Sequence, residues 1–265
     1  MDKKTAFLEL KYGWVYGGSP KFHIISDIAL IFHSQQTDRI TVHTKAIRSN
    51  AQIVTSYSDV DNLGVTQRRV IEVLDMNSRR TRPYRSDFML NNRIVKNIIA
   101  DSYTTHRVVK NFIVGLLLEH RPDELVIFGG RRDILLCEKA GVRFHKIPKI
   151  TDTQELLKNE TDHLFSLNKI SRVIGYDQDI NKISSNNHEY YLPRFITRQL
   201  GPNSAGEDAV RAFLAHQEYV NYKDHLLIRA ALQLQKIEMA EAEKRGEIID
   251  TDPPLSPPVD RPIED

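Results

Sequence analysis

Between Thr104 and His120 lies the clearest amphipathic helix of this chain, and a short apolar run begins within four residues of its end. Val108, Val109, Phe112, Ile113, Leu116 and Leu117 fall on one side at helical spacing. Pro122 stops the helix, and the run Glu124–Phe128 that follows is too short for another one. It reads as a buried strand leading into the turn Gly129-Gly130. A helix feeding a buried strand of this kind belongs in a sheet covered on its faces by helices.

The rest of the chain is consistent with that frame. Thr5–Leu10, Phe22–Phe32 and Arg39–Ile47 read as strands, the second and third antiparallel across the turn Ser34-Gln35-Gln36-Thr37-Asp38. Helical spacing predicts helices over Val65–Leu74 and Asn91–Ala100. Beyond the central strand it predicts helices over Asp133–Ala140, Thr153–Asn159, Ser166–Ile174, Ala205–Tyr222 and Asp224–Arg245, with a short strand at Ile147–Asp152. The expected class is α/β, with a mixed sheet flanked by helices. The expected division is one domain over 1–222, a helical extension over 223–246 and a disordered tail over 247–265.

Charge separates the tail from the body. Residues 241–265 hold eight acids against three bases, so that of the net charge of +2 the first 240 residues carry +7. The stretch 250–262 contains five prolines and almost no apolar periodicity, the composition of a polyproline-like segment. No run approaches the roughly 18 apolar residues of a membrane span, and Met-Asp-Lys-Lys-Thr opens without the apolar stretch of a secretory signal. The sequence therefore predicts a cytoplasmic protein with no membrane partner. The single cysteine, Cys137, sits in the apolar run Ile134–Cys137 and reads as a buried structural thiol. The scattered histidines, His145, His163 and His188 among them, lack zinc-ligand spacing, and no serine stands in a nucleophile-elbow pattern.

Four segments, spread over roughly residues 5–222, carry a resemblance. Ile24-Ile25-Ser26-Asp27-Ile28-Ala29-Leu30-Ile31 is similar to a strand reading I-I-E-I-G-A-V. Arg121–Leu136 is similar to a strand and helix start bearing an Asp, here Asp133. Ser166–Gly175 fits S-L-x-x-L-x-x-x-x-G, except that Ile170 stands in place of the second Leu. Asn203-Ser-Ala-Gly-Glu-Asp208-Ala fits H-x-A-x-x-D-A with Asn203 at the His position. Together these resemble the DEDD-type 3′-5′ exonucleases of the proofreading family and imply their RNase H-like fold.

The family's chemistry uses two divalent ions about 3.5–4 Å apart, which need carboxylate oxygens. Its first strand supplies two in a D-x-E pattern, because alternate strand residues share a face. Counting back from Gly13 by the family spacing places Leu8 and Leu10 in those two slots. A one-residue slip would bring in Glu9, with Phe7 or Lys11 as its neighbour on the same face, and neither neighbour binds a metal. Leu8 and Leu10 also make good core residues. Asn203 has no group titrating near neutrality and cannot serve as general base. Asp133 and Asp208 are then the vestigial catalytic pair, each also suited to the first turn of its helix.

The resemblance thus implies an exonuclease fold without exonuclease chemistry, with no metal and no cofactor, that acts by binding as a protein-interaction adaptor or a nucleic-acid-associated accessory factor. The alternative is an active exonuclease using Mg or Mn on Glu9, Asp133 and Asp208, with Asp27 or Glu207 completing the set. The richest basic stretch, Arg79, Arg80, Arg82, Tyr84 and Arg85, is the candidate binding segment, since guanidinium forks fit phosphates and a tyrosine can stack on a base. Arg131 and Arg132 stand beside Asp133. The partner expected is a protein, met through the basic segment or the Pro-rich tail, with DNA or RNA as the other candidate.

Overall fold

The computed structural model describes residues 3–19, 21–61 and 65–245. The tail expected over 247–265 lies outside them. β1 (Lys4–Val15), β2 (His23–Ser34) and β3 (Arg39–Ala46) form an antiparallel meander, followed by β4 (Gln52–Val60), β5 (Thr66–Asp75) and β6 (Thr81–Pro83). After the long α1 (Asn92–His120) come β7 (Glu124–Ile127), α2 (Arg131–Lys139), β8 (Lys149–Asp152), α3 (Thr153–Thr161) and α4 (Leu167–Val173). A small antiparallel sheet of β9 (Asp177–Asp179), β10 (Lys182–Ser184) and β11 (Glu189–Tyr191) precedes α5 (Arg194–Thr197) and α6 (Ala205–Arg245). The class is mixed α/β. No helix among the described residues is long and apolar enough to cross a membrane.

Strand β1 holds the architecture together because its outer edge forks. Over Thr5–Phe7 that edge pairs in parallel with β7, and β7 in turn with β8. Over Trp14–Val15 it pairs antiparallel with β4, from which β5 and β6 continue. Between the two branches, 8–13 has neither neighbour on that edge. Gly13 stands at the fork, where an added Cβ would lie 2.2 Å from the Val54 carbonyl oxygen, so the close approach of β4 requires glycine.

Helices cover both faces of β1, which explains its nearly unbroken burial. Ala6, Leu8 and Leu10 join the core that contains Val109, Ile113 and Leu116 of α1 and Leu136 and Cys137 of α2. Phe7 belongs to the other core with Ala209 and Phe213 of α6, its ring meeting that of Phe213 edge-on at 5.1 Å. Burying a side chain such as Phe7 is worth about 1.5–3 kcal/mol. Cys137 is fully buried, and burial pushes its thiol up.

Two expectations are corrected here. The helix expected over 65–74 is strand β5 instead; Val70, Ile71, Val73 and Leu74 satisfy helical spacing, but Thr66, Val70, Ile71 and Val73 are β-branched and pair along β4. The helices expected over 91–100 and 104–120 are one, α1, capped by the Asn91 side chain accepting from the Arg93 amide. The break expected between 222 and 224 does exist within α6, where Tyr222 leaves helical geometry at φ −138° and ψ 40°.

Candidate functional site

The site opens where the sheet forks. On the unpaired edge of β1 the Leu10 amide lacks a strand partner and donates instead to Asp133 Oδ2 at 3.1 Å. Asp133 is brought there by the turn Gly129-Gly130, whose Gly129 adopts φ +63°, and stands in the first turn of α2. Glu9 lies one residue earlier on β1, with its side chain on the face of Phe7 and Lys11, and the Phe128 amide donates to it. From the far end of the chain α6 adds Asp208. The Lys11 ammonium donates to Asp208 Oδ2, both side chains being mostly buried. From β2, Asp27 accepts from the Ala205 amide at 3.3 Å, tying the start of α6 to the sheet.

Four carboxyl groups thus surround one ammonium. Glu9 is 7% exposed and Asp133 6% exposed. Burial first, then the charges of Asp133 and Asp208, hold the Glu9 carboxyl well above the usual carboxylate range. Burial pushes Asp133 up to about 7, opposed by the Leu10 amide and by Lys11 and assisted by the Asp208 charge. Asp27 is raised by burial against the Ala205 hydrogen bond and the charge of Arg79. Such shifts follow from packing carboxylates together away from water with too few cations among them.

This geometry corrects the register read for β1. Leu8 and Leu10 face the α1 core, and the residues of β1 that face Asp208 are Glu9 and Lys11. Asp133 and Asp208 do converge, as first-turn residues of α2 and α6. Asn203 is exposed and takes a left-handed φ of 61°, a conformation asparagine tolerates better than most residues. The turn it makes is held by Glu207, whose carboxylate accepts from the Asn203 amide at 2.7 Å while the Ser204 hydroxyl accepts from the Glu207 amide at 3.0 Å. Glu207 is therefore part of a helix cap, and it also pairs with Arg211.

The basic segment divides. Arg79 turns inward, its guanidinium donating to the Ser26 carbonyl at 2.9 Å beside Asp27. Arg82 lies over the Tyr16 ring at 4.7 Å and donates to Gln52, Tyr84 meets Tyr16 edge-on, and Arg85 pairs with Asp87. Arg80 has no side-chain partner among the described residues. Lys11 was read from the sequence only as a same-face neighbour of Glu9 in the slipped register, its pairing with Asp208 was not, and Arg79 as a neighbour of the acids was missed. The signal for Lys11 was its i, i+2 spacing from Glu9; nothing local marked Arg79.

The oxygen donors of this cluster share their space with a lysine. Glu9, Asp133 and Asp208 are hard oxygen donors, and Glu9 Oε1 is buried without a hydrogen-bond partner among the described residues. Yet the Lys11 ammonium holds Asp208, and among the described residues no group of three or more His, Cys, Asp or Glu is arranged to hold a metal ion. No protein-family model matches the chain, and no curated protein matches it in sequence.

Proposed function

We propose that this chain is an RNase H-like, DEDD-exonuclease-like fold whose acidic centre is neutralised from within by Lys11, and that it acts by binding rather than by hydrolysis. The observation that carries the reading is the Lys11–Asp208 ion pair. A lysine in the midst of Glu9, Asp133 and Asp208 supplies the positive charge such a cluster needs and repels a divalent cation approaching the same oxygens. Support for the fold comes from the order of elements and from acids on β1, α2 and α6 meeting at one place, as the resemblance implied. Asn203 adds that the position five residues before Asp208 carries no imidazole to take a proton from water. The role is that of an adaptor for a protein partner or of a nucleic-acid-associated accessory factor.

One observation favours a second reading, an active metal-dependent 3′-5′ exonuclease on Glu9, Asp133, Asp208 and Asp27. It is the unpartnered Glu9 Oε1. Incubation of the protein with end-labelled single- and double-stranded DNA and RNA in Mg²⁺ and in Mn²⁺ separates the two. The binding reading expects every substrate intact. Degradation from the 3′ end that disappears in Asp208→Ala would establish the exonuclease instead.

A further inference from the structure

On the outer side of the fork lies a cavity of about 290 Å³, bounded by β1, the start of β2, β4, β5 and α2. Its chemistry is carried by Tyr12, Trp14, His23, Arg69 and Arg132, with Lys11 in the wall but its ammonium turned to Asp208, and among the described residues no carboxylate lines it. The Arg132 guanidinium lies 5.5 Å over the Tyr12 ring and donates to the His23 imidazole at 3.1 Å. Arg69 donates to the Ser56 hydroxyl at 2.9 Å. Neither guanidinium has a carboxylate partner among the described residues, unlike Arg68, which pairs with Asp59. Two forks are thus held in place by hydrogen bonds to neutral groups, with Asp133 close enough behind the cavity wall to feel the charge of Arg132, and their remaining donors suit an anion with several acceptor oxygens. The bulge in β1 between Lys11 and Tyr12 breaks the strand's alternation at the cavity wall.

We propose that this cavity binds one nucleotide unit of a single-stranded nucleic acid, with its phosphate between Arg69 and Arg132 and its base against Tyr12 and Trp14. Guanidiniums without an ion-pair partner favour phosphate, and flat aromatic rings beside them favour a base over an aliphatic anion. The volume, close to the lower bound of roughly 300 Å³ for ligand pockets, suits one small unit rather than a protein surface. The neighbouring cavity of about 460 Å³, which shares Lys11 and Tyr12, is lined by Asp27 and Glu72 and is a poor place for a phosphate. The inference rests on the binding reading above and chooses nucleic acid as the partner.

Trp14 is the sole tryptophan and lines this cavity, so tryptophan fluorescence reports on binding there. The experiment titrates the full chain, in EDTA, with a single-stranded oligothymidylate of about eight nucleotides. In parallel it uses inorganic phosphate and a polyglutamate of equal charge, with folding of each variant checked by circular dichroism. The oligonucleotide is expected to quench Trp14, and Arg69→Ala and Arg132→Ala each to weaken binding about tenfold and to flatten the log–log salt slope by roughly 0.7. Lysine at either position is expected to restore the slope but only part of the affinity, since it keeps the charge and loses the fork. Unquenched Trp14, or affinity unchanged in both alanine variants, overturns the proposal and leaves the binding reading standing. Competition by polyglutamate equal to that of the oligonucleotide overturns it in favour of an acidic protein partner. Shortening of the oligonucleotide on adding Mg²⁺ overturns the binding reading and leaves the pocket in place.

Discussion

Replacing Lys11 by methionine keeps the unbranched stem and removes the ammonium, which isolates what the charge contributes. In the wild type the pair it forms with Asp208 has side chains 29% and 21% exposed, between the surface and fully buried limits. Breaking an exposed pair costs about 0–1 kcal/mol and stranding one partner of a buried pair about 3–5 kcal/mol, so a loss of about 1–3 kcal/mol is expected here. In a domain of this size that lowers Tm by roughly 3–8 °C. The variant also leaves Glu9, Asp133 and Asp208 facing one another with no cation between them, the condition under which a hard divalent ion binds. Mn²⁺ at about a hundred times its Kd then stabilises by about 2.7 kcal/mol, a recovery of roughly 5–10 °C. The assay is a thermal melt of both proteins in EDTA and across a Mn²⁺ titration. A wild-type Tm that climbs with Mn²⁺ as steeply as the variant's, or a variant indifferent to Mn²⁺, would refute the idea that Lys11 occupies the cation position.

Further outcomes follow from the acids and from the fork. Because burial raises Asp133 to about 7, this carboxyl holds a proton in the folded state that it lacks in the unfolded state between about pH 4 and pH 7, and the stability it contributes is lost as pH rises through that range. The wild-type urea midpoint should therefore fall relative to that of Asp133→Asn as pH rises from about 4 to about 7; a difference between the two proteins that does not change with pH contradicts it. Gly13→Ala places a methyl group against the Val54 carbonyl and should destabilise by about 1–3 kcal/mol, read as a lower urea midpoint, whereas an unchanged midpoint would mean the fork is not closely packed.

Much of the fold is legible in the sequence because periodicity and stop signals agree there. Ser166 caps α4 by accepting from the Lys169 amide, Gly175 beyond it has φ 61°, and the run 124–127 pairs on both sides as β7. The hairpin of β4 and β5 was not legible, since Val70, Ile71, Val73 and Leu74 satisfy helical spacing and only pairing with β4 decides between the two. Strands β9 to β11 are three residues each and exist through mutual pairing. At the site, Asp133 and Asp208 were readable as acids opening helices. The register of β1 was not, because the sheet is buried on both faces and Phe7 serves one core as well as Leu8 and Leu10 serve the other. With apolar residues acceptable on either face, burial alone could not say which side Glu9 takes.

The most direct test of the central claim is Mn²⁺ binding to the wild-type protein, followed by the loss of the free-ion electron paramagnetic resonance signal. With Lys11 paired to Asp208, wild type should take up Mn²⁺ no more strongly than its Asp208→Asn variant, and Lys11→Met should acquire a site that Asp208→Asn abolishes. Stoichiometric Mn²⁺ uptake by the wild type, lost in Asp208→Asn, would contradict the account and point to a working metal centre.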